Sequence, residues 1–275
     1  MISLNNVHYR YEPEGIAALR GVSLEIKDGE YVALIGPNGC GKTTLIRHLN
    51  ALLLPDKGSV EINGLDTKIA KHHTEIRSCV GMVFQNPDNQ IIGMTVEEDV
   101  AFGPENLRLP AAKIKKRVAE SLQRAGINDL ATRNIENLSG GEKRLVAIAG
   151  VLAMNPRYIA LDEPTAFLDP AAAARVLETM DNLHRAGVGI IHVTHKMEQA
   201  ALAERVVVLN KGAVYLDATA AKVFAETKLL QQINLRLPQI TQMLLKLKKS
   251  GLPVRTDIFD PDEAADYIGQ LIKKK

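Results

Sequence analysis

Hydrophobic and polar residues alternate over the first 35 positions, as they do in strands that bury one face. Apolar side chains occupy every second position in stretches separated by turn residues at 13–15 and 27–29. Two further short runs with strand character occupy residues 58–64 and 79–84. The first third of the chain is therefore predicted to be rich in β-strands.

Helical periodicity replaces this alternation from Val96 to about Met154. Beyond that segment, strand-like runs return at 158–161, 189–193 and 206–215, and a helical pattern occupies 171–185. Strands that alternate with helices are typical of a parallel sheet covered on both faces. The chain is therefore predicted to form a doubly wound α/β core that carries a mostly helical insertion.

The C-terminal tail has a helical pattern of its own. Pro238 is predicted to be the first residue of a helix that ends at Gly251, and Asp260 with Glu263 has the spacing of a capping box that opens a second helix. Two short amphipathic helices are marginal alone and must bury their apolar faces. They are expected to pack either on the core or against the same element of a second chain, and the lysines at 273–275 are interpreted as a solvated end.

Composition argues against several classes of protein. With 34 Lys and Arg against 32 Asp and Glu, the chain lacks the charge excess of proteins that bind nucleic acid through a broad basic face. Its two cysteines, Cys40 and Cys79, form no CxxC pair, which argues against disulfides and structural zinc. No signal peptide and no apolar run near the roughly 20 residues of a membrane span are apparent. We therefore expect a reducing cytosolic environment, with any membrane role depending on a partner.

The first candidate functional element lies between the strand-like residues 31–35 and the helix-like residues 45–54. Residues 36–44 read Gly-Pro-Asn-Gly-Cys-Gly-Lys-Thr-Thr, which contains the pattern Gly-x-x-x-x-Gly-Lys-Thr. The glycines let consecutive backbone N–H groups converge on phosphate oxygens, while Lys42 supplies a positive charge and Thr43 a hydroxyl for Mg²⁺. A turn without function would not explain a lysine directly after the last glycine, where a small capping residue serves better. The loop therefore predicts nucleotide binding.

The second element is the apolar run 158–161, which is followed by Asp162 and Glu163. Ligands of an open parallel sheet bind at the carboxyl ends of its strands, so Asp162 can hold the Mg²⁺ that Thr43 also touches. Glu163 follows it, where it can polarise a water molecule that attacks the γ-phosphate. Alone, the pair also fits a solvated acidic turn, but the upstream loop favours the catalytic interpretation.

The third element begins at Ser139, which forms with Glu142 the pattern of a capping box before an amphipathic helix. A well-formed helix start explains these two residues. It does not explain Gly140 and Gly141, because each glycine costs about 1 kcal/mol in a helix. Two glycines make sense if bare backbone N–H groups at the positive end of the helix approach phosphate oxygens.

Together these elements resemble the ATP-binding subunit of an ABC transporter over residues 1 to about 220. Residues 36–43 resemble Walker A, 138–142 the ABC signature and 158–163 Walker B. The resemblance implies an enzyme that hydrolyses ATP.

The resemblance also implies a fold and its division into domains. The expected fold is a P-loop ABC ATPase core of α/β class with an antiparallel β subdomain, an inserted helical subdomain at about 88–155 and a short C-terminal helical extension. The ATPase domain is expected at 1–225 and the extension, a candidate dimer contact, at 226–275.

Four further residues gain roles from the resemblance alone. Tyr11 is expected to stack on adenine, with Tyr9 as the alternative, and Gln85 to approach Mg²⁺ and the attacking water. Asp169 matches a loop that crosses the dimer interface, and His195 matches the residue that contacts the γ-phosphate. The expected catalytic residues are Lys42, Gln85, Glu163 and His195, and the expected Mg²⁺ ligands are Thr43, Gln85 and Asp162. The expected ATP-binding residues are Tyr11, Gly36, Asn38, Gly39, Cys40, Gly41, Lys42, Thr43, Thr44, Ser139, Gly140 and Gly141.

The signature departs from the usual family pattern at Glu142, where most members have glutamine. A carboxylate close to phosphates is electrostatically unfavourable. Glu142 is therefore expected either to point away from ATP or to cap its own helix.

A finer resemblance connects residues 85–106 and the tail segments 237–243 and 249–253 to ATPases of energy-coupling factor transporters, which import cobalt, nickel or vitamins. The acidic cluster Glu97, Glu98 and Asp99 fits two interpretations. It could receive a basic helix of a membrane partner, or it could consist of acids favoured by a helix macrodipole.

The resemblance implies that two ATP molecules, with Mg²⁺, lie in a head-to-tail dimer of identical or paralogous chains. It further implies a transmembrane coupling subunit, a membrane subunit that captures the substrate, and a peripheral location on the cytoplasmic face of the membrane, without nucleic acid. The expected function is to power uptake of a transition-metal ion such as cobalt or nickel, or of a vitamin. The alternative is a soluble ABC ATPase that acts on nucleic acid or ribosomes, and the sequence does not identify the cargo.

Overall fold

The computed structural model describes residues 1–273, so the interpretation of 273–275 as a solvated end falls largely outside the described residues. A first, antiparallel sheet contains, in spatial order, β2 (Ala17–Ile26), β1 (Ile2–Arg10), β4 (Lys57–Ile62) and β5 (Leu65–Asp66). A second sheet contains, in spatial order, β10 (Ala213–Ala218), β9 (Arg205–Asn210), β3 (Tyr31–Ile35), β8 (Gly189–Val193), β7 (Tyr158–Asp162) and β6 (Val80–Val83). Neighbours in this sheet are parallel except β10, which is antiparallel to β9.

Helices connect and cover these strands. Four helices pack on the strands of the two sheets: α1 (Lys42–Leu49), α2 (His73–Cys79), α6 (Pro170–Arg185) and α7 (Met197–Ala200). The segment between β6 and β7 contains α3 (Val96–Asn106), α4 (Ala111–Ala125) and α5 (Gly140–Ala153). The C-terminal part contains α8 (Ala220–Ala225), α9 (Thr227–Gln232), α10 (Gln239–Lys249) and α11 (Pro261–Lys273). Over residues 1–273, no helix has the length and apolar character needed to cross a membrane.

Both faces of the central parallel strands are buried, which explains why these strands read as continuous apolar runs. In β3, Tyr31, Ala33 and Ile35 face a core shared with α5 and α6. Val32 and Leu34 face the opposite core, which is shared with α1 and the antiparallel sheet. The parallel sheet is therefore the rigid layer between two cores.

This topology brings the candidate residues to one edge of the sheet. The strands β3, β8, β7 and β6 are consecutive neighbours and run in the same direction. Each is followed at its carboxyl end by a predicted functional segment: the Gly36 loop, His195, Asp162 with Glu163, and Gln85. Open α/β sheets bind ligands outside the carboxyl ends of their strands.

The structure corrects several predicted boundaries. α1 begins at Lys42 and ends at Leu49, earlier at both ends than the predicted 45–54. It ends early because the residues after it leave the helical conformation, and Ala51 has a φ of 54°. The predicted strand 206–215 is two strands, which a turn at Lys211 and Gly212 separates; both turn residues have positive φ, as a tight hairpin requires. Pro238 is the N-cap of α10 and not its first residue. The helices α2, α7, α8 and α9 were not predicted.

The two tail helices bury their apolar faces mainly against each other. Leu244 of α10, Ala264 of α11 and the connecting residues Val254 and Ile258 form a small separate core. Phe259 packs edge-on against Phe224 of α8, with ring centroids 5.5 Å apart, and so joins this small core to the large one. The expected packing on the core is therefore present only in part, through residues such as Phe259, and a contact with a second chain stays a prediction.

His192 gives the protein a predicted acid sensitivity. It lies fully buried in β8, its Nδ1 is 3.2 Å from the Tyr31 hydroxyl, and no described group bonds to its Nε2. Burial lowers the pKa of His192 from 6.5 to about 3, so the folded protein keeps it neutral while the unfolded chain protonates it below pH 6.5. The free energy of unfolding should therefore fall as the pH drops below 6.5, by about 2 kcal/mol from this group between pH 6.5 and 5.

We expect His192→Phe to lose this part of the pH dependence. Urea unfolding of both proteins at pH 8, 6.5 and 5 tests this, because the difference at pH 8 measures the packing change alone. If the free energy of unfolding fell equally in the two proteins between pH 6.5 and 5, the assignment to His192 would be contradicted.

Candidate functional site

The three glycines of the loop at 36–41 have a positive φ, which side chains rarely adopt, and two of them also lack room for a Cβ atom. Gly36 has a φ of 152° and Gly41 a φ of 107°. A Cβ atom at Gly36 would lie 2.2 Å from the Leu209 carbonyl oxygen, and one at Gly41 would lie 2.5 Å from that of Ala18. α1 starts directly after Gly41 without a side-chain cap. The N–H groups of its first turn thus remain available to an anion, which is the arrangement that binds phosphate.

The Lys42 side chain is hydrogen-bonded to the backbone of the loop. Its Nζ donates to the carbonyl oxygens of Gly36, at 2.8 Å, and Pro37, at 3.0 Å, and the side chain is buried. These carbonyls are neutral acceptors, so a phosphate would compete for the ammonium group with a full negative charge. The lysine can therefore move from the loop to a nucleotide.

The residues present suit a magnesium ion. Thr43 Oγ1 donates to Asp162 Oδ2 at 2.8 Å, which places a hydroxyl and a carboxylate side by side at the end of β7. Burial raises the pKa of Asp162 above its ordinary value, and the Thr43 hydrogen bond only partly opposes this. A cation beside the carboxylate would relieve that penalty. Mg²⁺ prefers such oxygen ligands and takes its remaining ones from phosphates and water.

Glu163 is the centre of a small polar cluster. Its Oε2 is 3.2 Å from Gln85 Nε2 and 3.2 Å from His195 Nδ1. Its backbone is in the left-handed region with a φ of 46°, and its N–H donates to the Val193 carbonyl at 3.0 Å. Such strained conformations occur often at functional sites. The three side chains predicted from separate parts of the sequence thus meet around one carboxylate oxygen.

The structure favours Tyr11 over Tyr9 as the aromatic residue expected to stack on adenine. Tyr11 is 56% exposed, and its hydroxyl lies 3.0 Å from Thr44 Oγ1. Tyr9 instead packs edge-on against His48, with centroids 4.9 Å apart, and contributes to the core under the antiparallel sheet. Tyr9 also packs edge-on against the Tyr11 ring, with centroids 5.1 Å apart, and so helps to position the exposed ring.

Most of these residues line one open cleft of about 800 Å³, although Asp162 and Tyr9 do not. It is bordered by Tyr11, Ile16, Ala17, Ala18, Asn38, Gly39, Gly41, Lys42, Thr43, Thr44, Gln85, Glu163 and His195. Ile16, Ala17 and Ala18 were not predicted, and nothing in their residue types signals a ligand. Gly36 and Cys40 belong to the loop but are buried, so they do not line the cleft.

Ser139, Gly140 and Gly141 do not line this cleft. Ser139 is the N-cap of α5, and the capping box with Glu142 is present. Glu142 Oε2 accepts from both the backbone N–H and the hydroxyl of Ser139, each at 2.7 Å. These bonds lower the pKa of Glu142, so of its two expected alternatives it caps its own helix, and it does so as a charged group.

Packing gives a second reason for one of the signature glycines. A Cβ atom at Gly141 would lie 2.7 Å from the Cβ of Ala172 in α6, whereas one at Gly140 would meet only Leu168, at 3.6 Å. The close approach of α5 and α6 therefore accounts for Gly141 without a ligand. Gly140 keeps phosphate contact as its main explanation.

Two acids of the predicted cluster at 97–99 serve the local backbone. Glu98 completes a capping box with Thr95 at the start of α3. Asp99 Oδ1 accepts from the N–H groups of Ile92, at 2.7 Å, and Gly93, at 3.0 Å. This favours the helix-start interpretation for Glu98 and Asp99. Asp169 likewise caps α6, where it accepts from the Ala172 N–H at 2.9 Å.

Arg144 is a functional candidate that the sequence analysis did not identify. Its side chain is 1% exposed, and its guanidinium donates to the carbonyl oxygens of Phe84 and Gln85. Lys143 adds an ion pair to Asp88 at 2.8 Å. α5, whose N-cap is Ser139, is therefore bonded to the backbone of the Gln85 segment. The residue type alone gives no sign of this, since the contact depends on where that backbone passes.

We expect Arg144→Lys to lower ATP turnover about 10-fold with little change in ATP affinity. A lysine cannot donate to both carbonyls as the planar guanidinium does, so Gln85 would lose its fixed position beside Glu163. Small displacements of catalytic groups lower the reaction rate by up to about 10²-fold. Steady-state ATPase assays and nucleotide titrations test this. Arg117→Lys is the matched control because Arg117 donates to the carbonyls of Ala153 and Met154, both at 3.2 Å, away from the cleft. Equal losses in both variants would show a merely structural role.

A second depression lies beside the Gln85 segment. It has a volume of about 490 Å³ and lies between α2, the edge strand β6, α3 and α5. Exposed apolar side chains at its border include Leu52, Ile92 and Phe102. Arg77 and Gln90 add polar groups. We call this depression the groove.

Comparison with known proteins gives consistent similarities. The family profile described as "ABC transporter" matches residues 19–166. The chain is 53% identical to the "Cobalt import ATP-binding protein CbiO" of Syntrophus aciditrophicus (strain SB), which covers 98% of this chain and 96% of that protein. It is 44% identical to the "Energy-coupling factor transporter ATP-binding protein EcfA1" of Clostridium novyi (strain NT), with 98% of each chain covered.

Solved structures show the same similarity in three dimensions. CbiO1 of Clostridium perfringens, described as part of the ABC transporter complex cbiONQ, has a TM-score of 0.77 and 37% identity over 89% of this chain and 98% of its own. The dimeric, ADP- and Pi-bound cassette MJ0796 has a TM-score of 0.71 and 33% identity over 80% of this chain and 99% of its own.

Proposed function

This chain belongs to the ABC transporter family as an ATPase of the energy-coupling factor group, and from that premise we propose that it powers the uptake of a micronutrient, with cobalt the first candidate. The expected fold and ATPase activity are confirmed by this membership. The higher identity to a cobalt import protein than to EcfA1 favours a metal ion over a vitamin. The alternative, an ATPase that acts on nucleic acid or ribosomes, is not favoured by these relatives.

Within this function, each residue of the cleft has a proposed task. Backbone N–H groups of the loop and Lys42 bind the β- and γ-phosphates, and the Tyr11 ring stacks on adenine. Thr43, Asp162 and Gln85 would hold Mg²⁺, which would neutralise phosphate charge. Glu163 accepts the proton of the attacking water, and His195 and Gln85 orient its carboxylate through the contacts at 3.2 Å.

The observation that carries the proposal is that the site of a single chain is incomplete. The cleft contains the loop and the candidate base, but Ser139 and Gly140 lie outside it, at the N-terminus of α5 that Ser139 and Glu142 cap. A helix N-terminus with bare N–H groups suits a phosphate bound by another protomer. A head-to-tail dimer would complete two sites, and hydrolysis would reopen it by removing contacts that exist only in the closed state.

The groove is proposed to receive a helix of a transmembrane subunit at the cytoplasmic face of the membrane. It adjoins the Gln85 segment, so closure around ATP would change its shape. Glu98 and Asp99 already bond to the local backbone. Apolar contacts of the exposed Ile92 and Phe102 would therefore contribute most to the binding of this helix. The domain division at 225 and the Asp169 dimer contact remain predictions.

Purification of the tagged chain from detergent-extracted membranes tests this proposal. We expect two integral membrane proteins to co-purify, identified by mass spectrometry of the intact complex, and Phe102→Asp to release them without loss of ATP binding. Uptake of radiolabelled cobalt by cells with and without the chain then tests the cargo. Bound ribosomes or nucleic acid in place of membrane partners would refute the proposal.

A further inference from the structure

A buried glutamine joins the two chain segments that carry the candidate base and its histidine partner. Gln199 belongs to the short helix α7, and its side chain is buried. Its Oε1 accepts from the hydroxyl of Thr165, at 2.9 Å, and from that of Thr194, at 3.2 Å. Both threonines are buried as well. One amide oxygen therefore connects a segment next to Glu163 with a segment next to His195.

The bond from Thr165 holds the turn that follows Glu163. The Ala166 N–H donates to the Glu163 carbonyl at 3.0 Å, so Thr165 lies inside this turn, two residues beyond Glu163. Glu163 has a φ of 46°, and such a conformation persists only where the surrounding structure maintains it. A hydrogen bond from inside the turn to a buried side chain supplies part of that support.

The bond from Thr194 holds the turn that carries His195. Thr194 Oγ1 accepts from the Lys196 N–H at 3.0 Å and so closes a turn around His195. The same hydroxyl gives its proton to Gln199, which fixes the direction in which its lone pairs point. The His195 side chain is 54% exposed, so packing does little to hold the ring. Its position therefore depends mainly on this turn.

Two explanations fit a buried and bonded amide. A buried polar group requires hydrogen-bond partners, so the two hydroxyls could merely compensate for the burial of Gln199. An apolar side chain of similar size would fill the same place without any such requirement. The bonds gain a purpose if the two segments must keep a closely defined separation. The Glu163 carboxylate and the His195 ring, 3.2 Å apart, need such a separation.

We propose that Gln199 is a positioning residue for ATP hydrolysis, which holds the Glu163 and His195 segments at the separation that the reaction requires. This inference rests on the proposed function, because it takes Glu163 as the base and His195 as a group that orients it. Gln199 and the two threonines are not among the residues that line the cleft. The glutamine therefore affects the rate of hydrolysis and not the binding of the nucleotide.

Gln199→Met tests the proposal, because methionine has a similar length and flexibility but lacks the amide oxygen. We expect kcat for ATP to fall about 10-fold or more, while the Kd of a fluorescent ATP analogue stays within about 3-fold. Gln199→Glu keeps an oxygen that accepts from both hydroxyls and should restore kcat to within about 3-fold of the unmodified protein. An unchanged kcat in Gln199→Met, or a loss of nucleotide binding, would overturn the inference.

Threonine variants keep the proposal testable if Gln199→Met does not fold. Thr165→Val and Thr194→Val each remove one hydroxyl with little change in shape, and each should lower kcat by about 3-fold or more. Thr179→Val is the matched control, because Thr179 is buried in α6 and donates to the Arg175 carbonyl at 2.9 Å. Its kcat should equal that of the unmodified protein. Equal losses in all three variants would overturn the inference.

Combination with Glu163→Gln separates positioning from general damage to the fold. Without a base at 163, the position of that side chain no longer limits the rate, so Gln199→Met should cost little further turnover. A further loss as large as that in the unmodified background would assign Gln199 a structural role and overturn the inference. Near-normal turnover in Glu163→Gln alone would refute the proposed base and the inference with it. An unchanged kcat in Gln199→Met would overturn the inference alone and leave the base assignment intact.

Discussion

Glu163→Gln is expected to convert the chain into a stable ATP-bound dimer that hydrolyses ATP at least about 10²-fold more slowly. The amide has the shape of the carboxylate, so it can keep the contacts of Oε2 with Gln85 and His195, both at 3.2 Å. It cannot accept the proton of an attacking water. Binding and closure would therefore proceed, while the step that reopens the dimer would be blocked. Phosphate release and size-exclusion chromatography with light scattering measure the two effects together.

Glu178→Gln is the control for this prediction. Glu178 lies exposed on α6, so the change removes the same charge without touching the cleft. Its turnover and its monomer–dimer equilibrium should match those of the unmodified protein. Near-normal turnover in Glu163→Gln would refute Glu163 as the base and would direct attention to Asp162 or His195.

The sequence predicted the cleft well because of how parallel sheets are built. The Gly36 loop, Gln85, Glu163 and His195 each follow a buried apolar strand, and parallel neighbours place their carboxyl ends at one edge. A predicted strand and a motif that follows it together indicate where a side chain lies. The resemblance to a known family supplied Gln85 and His195, whose residue types alone carry little information.

Other features depended on contacts between distant segments, which residue patterns do not encode. The choice between Tyr11 and Tyr9 required the position of His48, against which Tyr9 packs. Arg144 became a functional candidate because it donates to carbonyl groups 59 and 60 residues away in sequence. The capping box at Ser139 is local and was predicted correctly, because its partners are three residues apart.

Glycine illustrates the limit of arguments from propensity. The cost of two glycines in the first turn of α5 suggested a ligand for both. The structure shows that Ala172 of α6 leaves no room for a side chain at Gly141. Only Gly140 still lacks a packing explanation, so the phosphate contact at this helix rests more on Ser139 and Gly140 than the sequence indicated.

Ser139→Asp is expected to abolish ATP-dependent dimerisation while the protomer still binds ATP. Asp is as good an N-cap as Ser for the backbone N–H groups, but it cannot donate to Glu142 Oε2, which accepts from the Ser139 hydroxyl at 2.7 Å, and it places two carboxylates side by side. The start of α5 must therefore be checked in this variant. In the proposed dimer, however, its charge would face the γ-phosphate bound by the partner. At about 4 Å and an effective dielectric constant of about 20, two like charges repel by about 4 kcal/mol. Since both sites of the dimer are affected, closure should weaken by more than about 10²-fold.

Ser139→Asn separates charge from shape, because Asn also caps helices and is neutral. We expect it to retain much of the dimer that Ser139→Asp loses, with circular dichroism confirming α5 in both. Ser139 lies outside the residues that line the cleft, so nucleotide titrations of the two protomers should agree with that of the parent. Loss of ATP binding by the Ser139→Asp protomer would mean that the signature and the loop serve the same nucleotide within one chain. Dimerisation that survives the added charge would instead place the signature away from the phosphate of the partner.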